Sequence, residues 1–216
     1  MTNSGTTDRI TGARIIVEAL RCGYGKMIAV DDVSFSVSPG EHVAITGANG
    51  SGKSSVLRTI VGLHRGFHGA ISIDGHTVPS VATGRLCAWV PQRQVTGSFP
   101  LHVRELLGSS ADPGAAISYA ERLGLGELMR RPVSELSGGQ LQRAFISRAL
   151  GSLEHGAKVL VADEPTASLD FDGQREVAAI IKGLDATVIV ATHDQALASM
   201  CDRHLEMAAG HLRESL

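Results

Sequence analysis

The chain has 216 residues, of which 43% are hydrophobic, 19% charged and only 4% aromatic, and its formal net charge is -2. This length and composition predict one α/β domain with a sizeable core. The near-neutral charge excludes a strong overall attraction to nucleic acid or to an anionic membrane, although it leaves a local basic patch open.

The N-terminus carries no targeting signal that the sequence makes visible. Residues 1–12 are polar and lack an apolar signal-peptide core, so we expect a disordered tail there and a single domain over residues 13–216. No apolar run approaches the roughly 20 residues that a membrane span needs. Cys22, Cys87 and Cys201 are far apart and odd in number, which favours a reducing cytosol over a disulfide framework. Work at a membrane would therefore need a partner.

The first strands are predicted to be antiparallel, and the middle of the chain is predicted to be helical. Residues 15–20 are strand-like, residues 33–37 alternate strictly, and residues 70–73 precede a turn. After residue 92 the apolar spacing becomes helical, first around residues 103–107 and then around residues 120–128, where two glycines interrupt it. We therefore expect a helical subdomain over about residues 93–150.

A glycine-rich loop is the most informative stretch of the chain. It fits the phosphate-binding pattern G-x-x-x-x-G-K-[ST], in which Lys53 reaches the β- and γ-phosphates and Ser54 offers a hydroxyl to magnesium. A strand-like run at residues 43–45 precedes it and helical spacing follows it, which favours this interpretation over a glycine-rich surface turn. The candidate phosphate-binding residues are Gly47, Ala48, Asn49, Gly50, Ser51, Gly52, Lys53, Ser54 and Ser55.

Four apolar runs resemble buried parallel strands, and each is followed at once by polar residues. They cover residues 43–45, 87–90, 159–162 and 188–191. Ligands in open α/β sheets bind outside the carboxyl ends of the strands. The pattern therefore predicts that one sheet edge gathers the side chains of Lys53, Gln92, Asp163, Glu164 and His193.

A second glycine motif precedes a helix-like run. Ser137 is a natural N-cap, and Gly138 and Gly139 expose backbone N–H groups at a positive helix end. Alone, this could be an ordinary capped turn. Beside the phosphate loop, however, the chain resembles the nucleotide-binding subunit of ATP-binding cassette (ABC) transporters over nearly all of residues 15–212. The matching motifs, in family order, are Tyr24, the loop at residues 47–54, Gln92, the signature at residues 136–140, the Walker B segment at residues 159–164, the D-loop at residues 168–170, and His193.

This resemblance implies a fold and a division of labour. The fold would be a P-loop NTPase (RecA-like) core with an N-terminal antiparallel β-subdomain and an α-helical subdomain inserted between Gln92 and the signature. The ligands would be ATP and Mg2+, with Tyr24 stacking on adenine. The other implied roles are Mg2+ binding by Ser54, Gln92 and Asp163, and catalysis by Lys53, Glu164 and His193.

The resemblance also implies partners. The signature residues Ser137, Gly138, Gly139 and Gln140 would act on the ATP of a second copy, giving a two-fold dimer. The chain would lie at the cytoplasmic face of the membrane, bound to a separate permease, in a system that can include an extracytoplasmic solute-binding protein. No nucleic acid partner is expected.

The cargo is indicated by one region. Residues 89–93 and 99–106 resemble the segment after Gln92 in zinc, manganese and iron importers, and the alternative is a generic helix start after a proline. Another cargo, export, a soluble ABC ATPase acting on DNA or ribosomes, and a small P-loop kinase or GTPase are the competing functions. The signature, Glu164 and His193 argue against a kinase or GTPase, and the chain shows neither a long coiled-coil insertion nor a second cassette.

Histidines raise the question of metal binding by this chain itself. His64 and His68 are four residues apart among nine histidines and could share a helix face. Flanking glycines disfavour that helix, and no third ligand is evident. We therefore expect a solvated surface pair.

Overall fold

The computed structural model describes residues 12–92 and 101–214. Its strands are β1 (Ile15–Tyr24), β2 (Met27–Val37), β3 (His42–Thr46), β4 (His68–Ile73), β5 (His76–Thr77), β6 (Cys87–Val90), β7 (Val159–Asp163), β8 (Thr187–Ala191), β9 (Arg203–Ala208) and β10 (His211–Glu214). Its helices are α1 (Lys53–Ile60), α2 (Val81–Leu86), α3 (Val103–Gly108), α4 (Pro113–Arg122), α5 (Gly138–Glu154), α6 (Phe171–Lys182) and α7 (Gln195–Ala198), with 3-10 turns at Gly126–Leu128 and Val133–Glu135.

The strands form two sheets. The N-terminal sheet is antiparallel with the order β2-β1-β4-β5, and the other has the order β10-β9-β3-β8-β7-β6. In the second sheet all neighbours are parallel except β9 and β10. This arrangement confirms the expected α/β core with an antiparallel β-subdomain at the N-terminus.

The six-stranded sheet separates two apolar layers, because successive side chains of a strand point to opposite faces. On β3, Val43 and Ile45 join a layer with α1 and the antiparallel sheet, whereas Ala44 joins a layer with α5 and α6. Strands β7 and β8 are buried along their whole length. Burial on both faces explains why these strands appear in the sequence as continuous apolar runs rather than as alternating ones.

Helices α3, α4 and α5 pack together as the predicted helical region. The interruption expected near residue 124 is real, since α4 ends at Arg122 and Gly124 has a φ of +77°. Helix α5 continues to Glu154, beyond the predicted end of the subdomain at residue 150. Residues 93–100 of that prediction lie outside the described residues.

The domain begins slightly before the predicted boundary. Gly12 packs so closely against Gly40 and Thr187 that a Cβ atom there would overlap both residues. Gly12, which the sequence analysis assigned to the tail, therefore packs against the domain, and residues 1–11 lie outside the described residues. Cys22, Cys87 and Cys201 are all free thiols. Among the helices of residues 12–92 and 101–214, none has the length and apolar character to cross a bilayer.

Candidate functional site

The glycine-rich loop joins the end of β3 to the start of α1. Gly52 caps that helix with a φ of +110° and no side-chain cap, so the first N–H groups of α1 have no side-chain acceptor there. A Cβ atom at Gly47 would overlap the carbonyl oxygen of Met207, and one at Gly52 would collide with that of Ala29. Glycine is therefore required where the loop passes close to other backbone, and the loop presents N–H donors at a positive helix end.

Lys53 is the first residue of α1, and its side chain folds back over the loop. Its Nζ atom donates hydrogen bonds to the carbonyl oxygens of Gly47, at 2.7 Å, and Ala48, at 3.0 Å. The side chain is buried, so these carbonyls replace the water that the ammonium group would otherwise hold. The loop thus holds one fixed positive charge beside its N–H groups, which suits a polyphosphate.

Asp163 ends β7 and is fully buried. By distance and angle, neither of its carboxylate oxygens makes a hydrogen bond to a described residue, although the Ser54 hydroxyl lies close enough to lower the pKa of Asp163. Burial raises the pKa of Asp163, while the Ser54 hydroxyl and the charges of Arg58, Glu164 and Lys53 alter the pKa less. A buried and unpaired carboxylate is costly unless a cation neutralises it. Asp163 and Ser54 supply the oxygen donors that Mg2+ prefers, so these residues fit a magnesium site.

Glu164 follows Asp163 and adopts a φ of +50°, in the left-handed region. Its N–H donates to Ala191 at the end of β8, at 2.8 Å, which ties two strand ends together. Its Oε2 atom lies 2.9 Å from Nδ1 of His193 and accepts a hydrogen bond from the His193 backbone N–H at 3.3 Å. The Glu164 carboxylate is therefore held in one orientation by a largely exposed histidine.

The loop borders a cavity of about 320 Å³, which we call the nucleotide cavity. Ten of the predicted site residues line it, namely Tyr24, Gln92, Glu164 and residues 49–55. Gly47 and Ala48 contact the lining residue Lys53 through their carbonyl oxygens. Asp163 is buried next to the lining residues Ser54, Lys53 and Glu164, and His193 contacts Glu164. Met27 and Ala29 also line the cavity and were not predicted, because the start of β2 lacks the alternation that marks residues 33–37.

The signature residues lie at a separate cavity of about 400 Å³, which we call the signature cavity. It shares no lining residue with the nucleotide cavity. Ser137 caps α5 as predicted, with its hydroxyl accepting from the Gln140 N–H at 3.2 Å and the Gln140 side chain accepting from the Ser137 N–H at 3.0 Å. Gly138 and Gly139 line the cavity opposite the D-loop residues Ser168 and Asp170. The signature cavity therefore presents backbone N–H donors at the start of α5, apart from the phosphate loop, Asp163 and Glu164.

Two supporting contacts carry no signal in the sequence. The hydroxyl of buried Thr166 donates to Asp194 at 3.0 Å and so joins the segment after Glu164 to the segment after His193. In the turn between β9 and β10, the Gly210 N–H donates to the Ser51 carbonyl at 3.1 Å, and the Gly210 carbonyl accepts from the Asp31 N–H at 2.9 Å. Both contacts join residues that are distant in the chain, so only the fold reveals them.

The sequence predicted that His64 and His68 are both solvated, and this prediction is wrong for His64. His64 lies in the loop after α1 and is only 8% exposed, whereas His68 is exposed at the start of β4. The chain turns between them, and Gly66 has a φ of +78°, so they share no helix face. No group of three or more His, Cys, Asp or Glu side chains is placed to hold a metal ion in the part of the chain that the structure describes.

Comparisons with known proteins agree with this geometry. A family profile described as ABC transporter matches residues 30–167, which is more than half of the chain. The chain is 34% identical over 208 residues to the macrolide export ATP-binding/permease protein MacB 1/2 of Paracoccus denitrificans, covering 88% of this chain and 31% of that protein. It is 34% identical over 205 residues to the cobalamin import ATP-binding protein BtuD of Halobacterium salinarum, covering 86% of this chain and 50% of that protein.

The chain therefore spans about a third to half of the length of these curated relatives. Among solved structures, it is similar to a dimeric, post-hydrolysis ATP-binding cassette bound to ADP and Pi. The TM-score is 0.80 at 25% identity, and the match covers 93% of this chain and 97% of that one.

Proposed function

Because this chain belongs to the ABC transporter family, we propose that it binds and hydrolyses ATP to power transport through a separate membrane permease. The observation that carries the proposal is the convergence of Lys53, Asp163, Glu164 and His193 around one sheet edge next to a cavity lined by the phosphate loop. Such a site has a phosphate cradle, a magnesium-type carboxylate and a positioned base, which are the parts that phosphoryl transfer to water requires.

The residues of the site have separate roles in ATP binding and hydrolysis. The N–H groups of the loop and the Lys53 ammonium group bind the phosphate chain, and the half-exposed Tyr24 ring stacks on adenine. Ser54, Gln92 and Asp163 would hold Mg2+, which neutralises charge on the phosphates when bound. Glu164 orients and polarises the attacking water as a general base. His193 holds the Glu164 carboxylate in place and contacts the γ-phosphate.

The signature cavity acts on the nucleotide of a second copy. Ser137, Gly138, Gly139 and Gln140 line a cavity separate from this chain's own nucleotide cavity, and the positive N-terminal end of α5 favours an anion there. We propose an ATP-bound homodimer in which each signature caps the γ-phosphate held by the other copy. Hydrolysis removes that contact, and the copies separate, which is a ligand-driven shift between two states.

We propose that the permease contacts the chain near Gln92, on the side that faces the cytoplasmic surface of the membrane. A cavity of about 760 Å³ lies beside β6, the strand that leads to Gln92, and Trp89 and Arg148 line it. Strand β6 is at the edge of its sheet, so one side of it is free of strand neighbours among the described residues. This face supports the docking of a membrane partner.

For the cargo, we propose import of a divalent metal such as zinc or manganese, with a solute-binding protein delivering it. The support is the resemblance of residues 89–93 and 99–106 to metal importers. The competing proposal is another cargo or export, which the macrolide exporter and the cobalamin importer among the relatives favour. A soluble ABC ATPase that serves no permease is the third candidate.

Three measurements test these proposals in turn. We expect Mg2+-dependent phosphate release from ATP by the purified chain, and loss of that activity in Lys53→Ala. An inactive wild-type chain, or undiminished activity in Lys53→Ala, would overturn the ATPase proposal. A pull-down from detergent-solubilised membranes of the native organism should then retain a polytopic permease, and recovery of the chain alone would contradict transport. Uptake and efflux of radioactive zinc, cobalamin and a macrolide, with and without Glu164→Gln, would identify the cargo and its direction.

A further inference from the structure

His64 is a buried side chain that the proposed reaction does not use. Its ring packs against the ring of Tyr24 in a T-shaped arrangement, with the ring centroids 4.9 Å apart and the planes at 78°. His64 is 8% exposed, whereas Tyr24 is 46% exposed and lines the nucleotide cavity. One ring of the pair is therefore fixed inside the protein, and the other stands at the wall of the cavity.

Hydrogen bonding through Nε2 does not account for the burial of this imidazole. Its Nε2 atom has no hydrogen-bond partner among the described residues. An unpaired polar atom in a buried position lowers stability, and such an atom in a native structure calls for another reason for its presence. The ring contact with Tyr24 supplies such a reason.

The backbone of His64 is tied to the helix that holds the phosphates. The N–H groups of Leu63 and His64 both donate to the carbonyl of Arg58 in the last turn of α1, at 2.8 and 3.1 Å. Gly62, with a φ of +73°, turns the chain back at this point. Helix α1 begins at Lys53, so its first residue lies at the phosphate loop and its exit loop carries the ring that touches Tyr24.

Tyr24 needs such support because its own strand does not restrain it. It is the last residue of β1, next to the turn at Gly25, and the neighbouring Met27 and Ile28 are also exposed. A half-exposed ring at a hairpin end can adopt several rotamers, and stacking on a ligand then costs the conformational entropy of fixing one of them. A ring that the protein already holds in the binding orientation avoids this entropy cost when the ligand binds.

We infer that His64 is a positioning residue that holds the Tyr24 ring ready to stack on the adenine base of ATP. Through His64, helix α1 fixes both ends of the nucleotide, the phosphates directly at Lys53 and the base through Tyr24. The inference rests on the proposed ATP function. A T-shaped aromatic contact of this kind corresponds to about a 2- to 10-fold effect on the affinity for ATP.

A double-mutant cycle on ligand affinity tests the inference. Wild type, His64→Ala, Tyr24→Ala and the double variant would be titrated calorimetrically with ATP and with inorganic tripolyphosphate, which has phosphates but no base. We expect His64→Ala to weaken ATP about 2- to 10-fold and to leave tripolyphosphate unchanged. In the Tyr24→Ala background, the same change should have no further effect on ATP.

Conservative and matched variants separate positioning from folding. His64→Phe keeps a ring against Tyr24 and should retain wild-type affinity for ATP, and it removes the unpaired nitrogen. His68→Ala changes the exposed histidine four residues further on and should bind both ligands as wild type does. Thermal melts of each variant show that the affinities refer to folded protein.

The outcomes distinguish this inference from the proposed function. The role of His64 would be overturned if His64→Ala weakened ATP and tripolyphosphate binding equally, or if His64→Phe weakened ATP binding as much as His64→Ala. It would also be overturned if His64→Ala weakened ATP binding equally in the wild-type and Tyr24→Ala backgrounds. Wild-type affinity for ATP in His64→Ala or Tyr24→Ala would also overturn it. A wild-type protein that binds neither ligand would reject the proposed function itself.

Discussion

The nucleotide cavity and the signature cavity differ in how complete they are. At the first, one chain supplies the cation Lys53, the buried carboxylate Asp163 and the oriented carboxylate Glu164 around the same space. At the second, Ser137 and Gln140 satisfy each other in a capping box, and Gly138 and Gly139 face the D-loop. One region therefore gathers a cation and two carboxylates suited to a phosphate and its metal ion, whereas the other presents backbone donors at the start of α5 apart from that cluster.

The largest expected effect comes from removing the base at the nucleotide cavity. Glu164→Gln keeps the shape of the side chain and its contact with His193 but cannot accept a proton from water. We expect steady-state phosphate release to fall by roughly 100-fold or more, with ATP affinity retained and a stable ATP-bound dimer visible by size-exclusion chromatography. Phosphate release near the wild-type rate would remove Glu164 from its proposed role.

The next effect tests whether the signature cavity serves another chain. A Cβ atom at Gly139 would lie 2.9 Å from the carbonyl oxygen of Ser168, so Gly139→Ala must shift the D-loop or the start of α5. We expect ATPase activity to fall by roughly tenfold or more while the monomer binds ATP normally. Gly138→Ala, whose Cβ atom would lie 3.4 Å from the Ser168 side chain, is the milder matched change.

Mixing variants turns the same comparison into a direct test. Lys53→Ala damages only the nucleotide cavity and Gly139→Ala only the signature cavity. If the two cavities meet across a dimer, an equimolar mixture contains hybrids with one intact site, and activity recovers to about a quarter of wild type. If both cavities served the same nucleotide within one chain, the mixture would stay as inactive as its parts.

A pH experiment probes the unpaired carboxylate beneath the nucleotide cavity. Burial raises the pKa of Asp163 above that of an unfolded chain, so the folded state binds its proton more tightly. In nucleotide-free protein this group favours folding at pH values below its unfolded pKa, and that contribution is lost as the pH rises through the raised pKa. We expect the difference in urea midpoint between Asp163→Asn and wild type to grow in favour of the variant over this range. A urea-midpoint difference that does not vary with pH would contradict a raised pKa for Asp163.

The smallest effect concerns the segment that connects the two cavities. Thr166 lies between Glu164 and the D-loop residue Ser168, and its hydroxyl donates to Asp194 beside His193. We expect Thr166→Val to lower the free energy of unfolding by about 1 kcal/mol, because the hydrogen bond is lost in a buried position. Thr166→Ser keeps the hydroxyl and is the control, and equal losses for both variants would show that packing rather than the hydrogen bond matters.

Local patterns in the sequence were sufficient for much of the fold. The buried parallel strands appear as apolar runs, and the phosphate loop and the signature each combine a fixed residue spacing with a helix start, as at Gly52 and Ser137. The break at Gly124 was visible because a residue without a Cβ atom interrupts helical spacing. The start of β2 and the end of α5 were missed or misplaced, although a glycine with positive φ lies next to each, Gly25 before β2 and Gly156 after α5.

By itself, the sequence determined which side chains can do chemistry and that parallel strand ends bring them to one sheet edge, because strand period and glycine conformation are local properties of the chain. Only the tertiary structure decided what surrounds those side chains. It buried Asp163 without a partner, turned the Glu164 carboxylate towards His193, and placed His64 against Tyr24 rather than beside His68. The physical reason is that burial and ring contacts join residues far apart in the chain, and no local spacing records them.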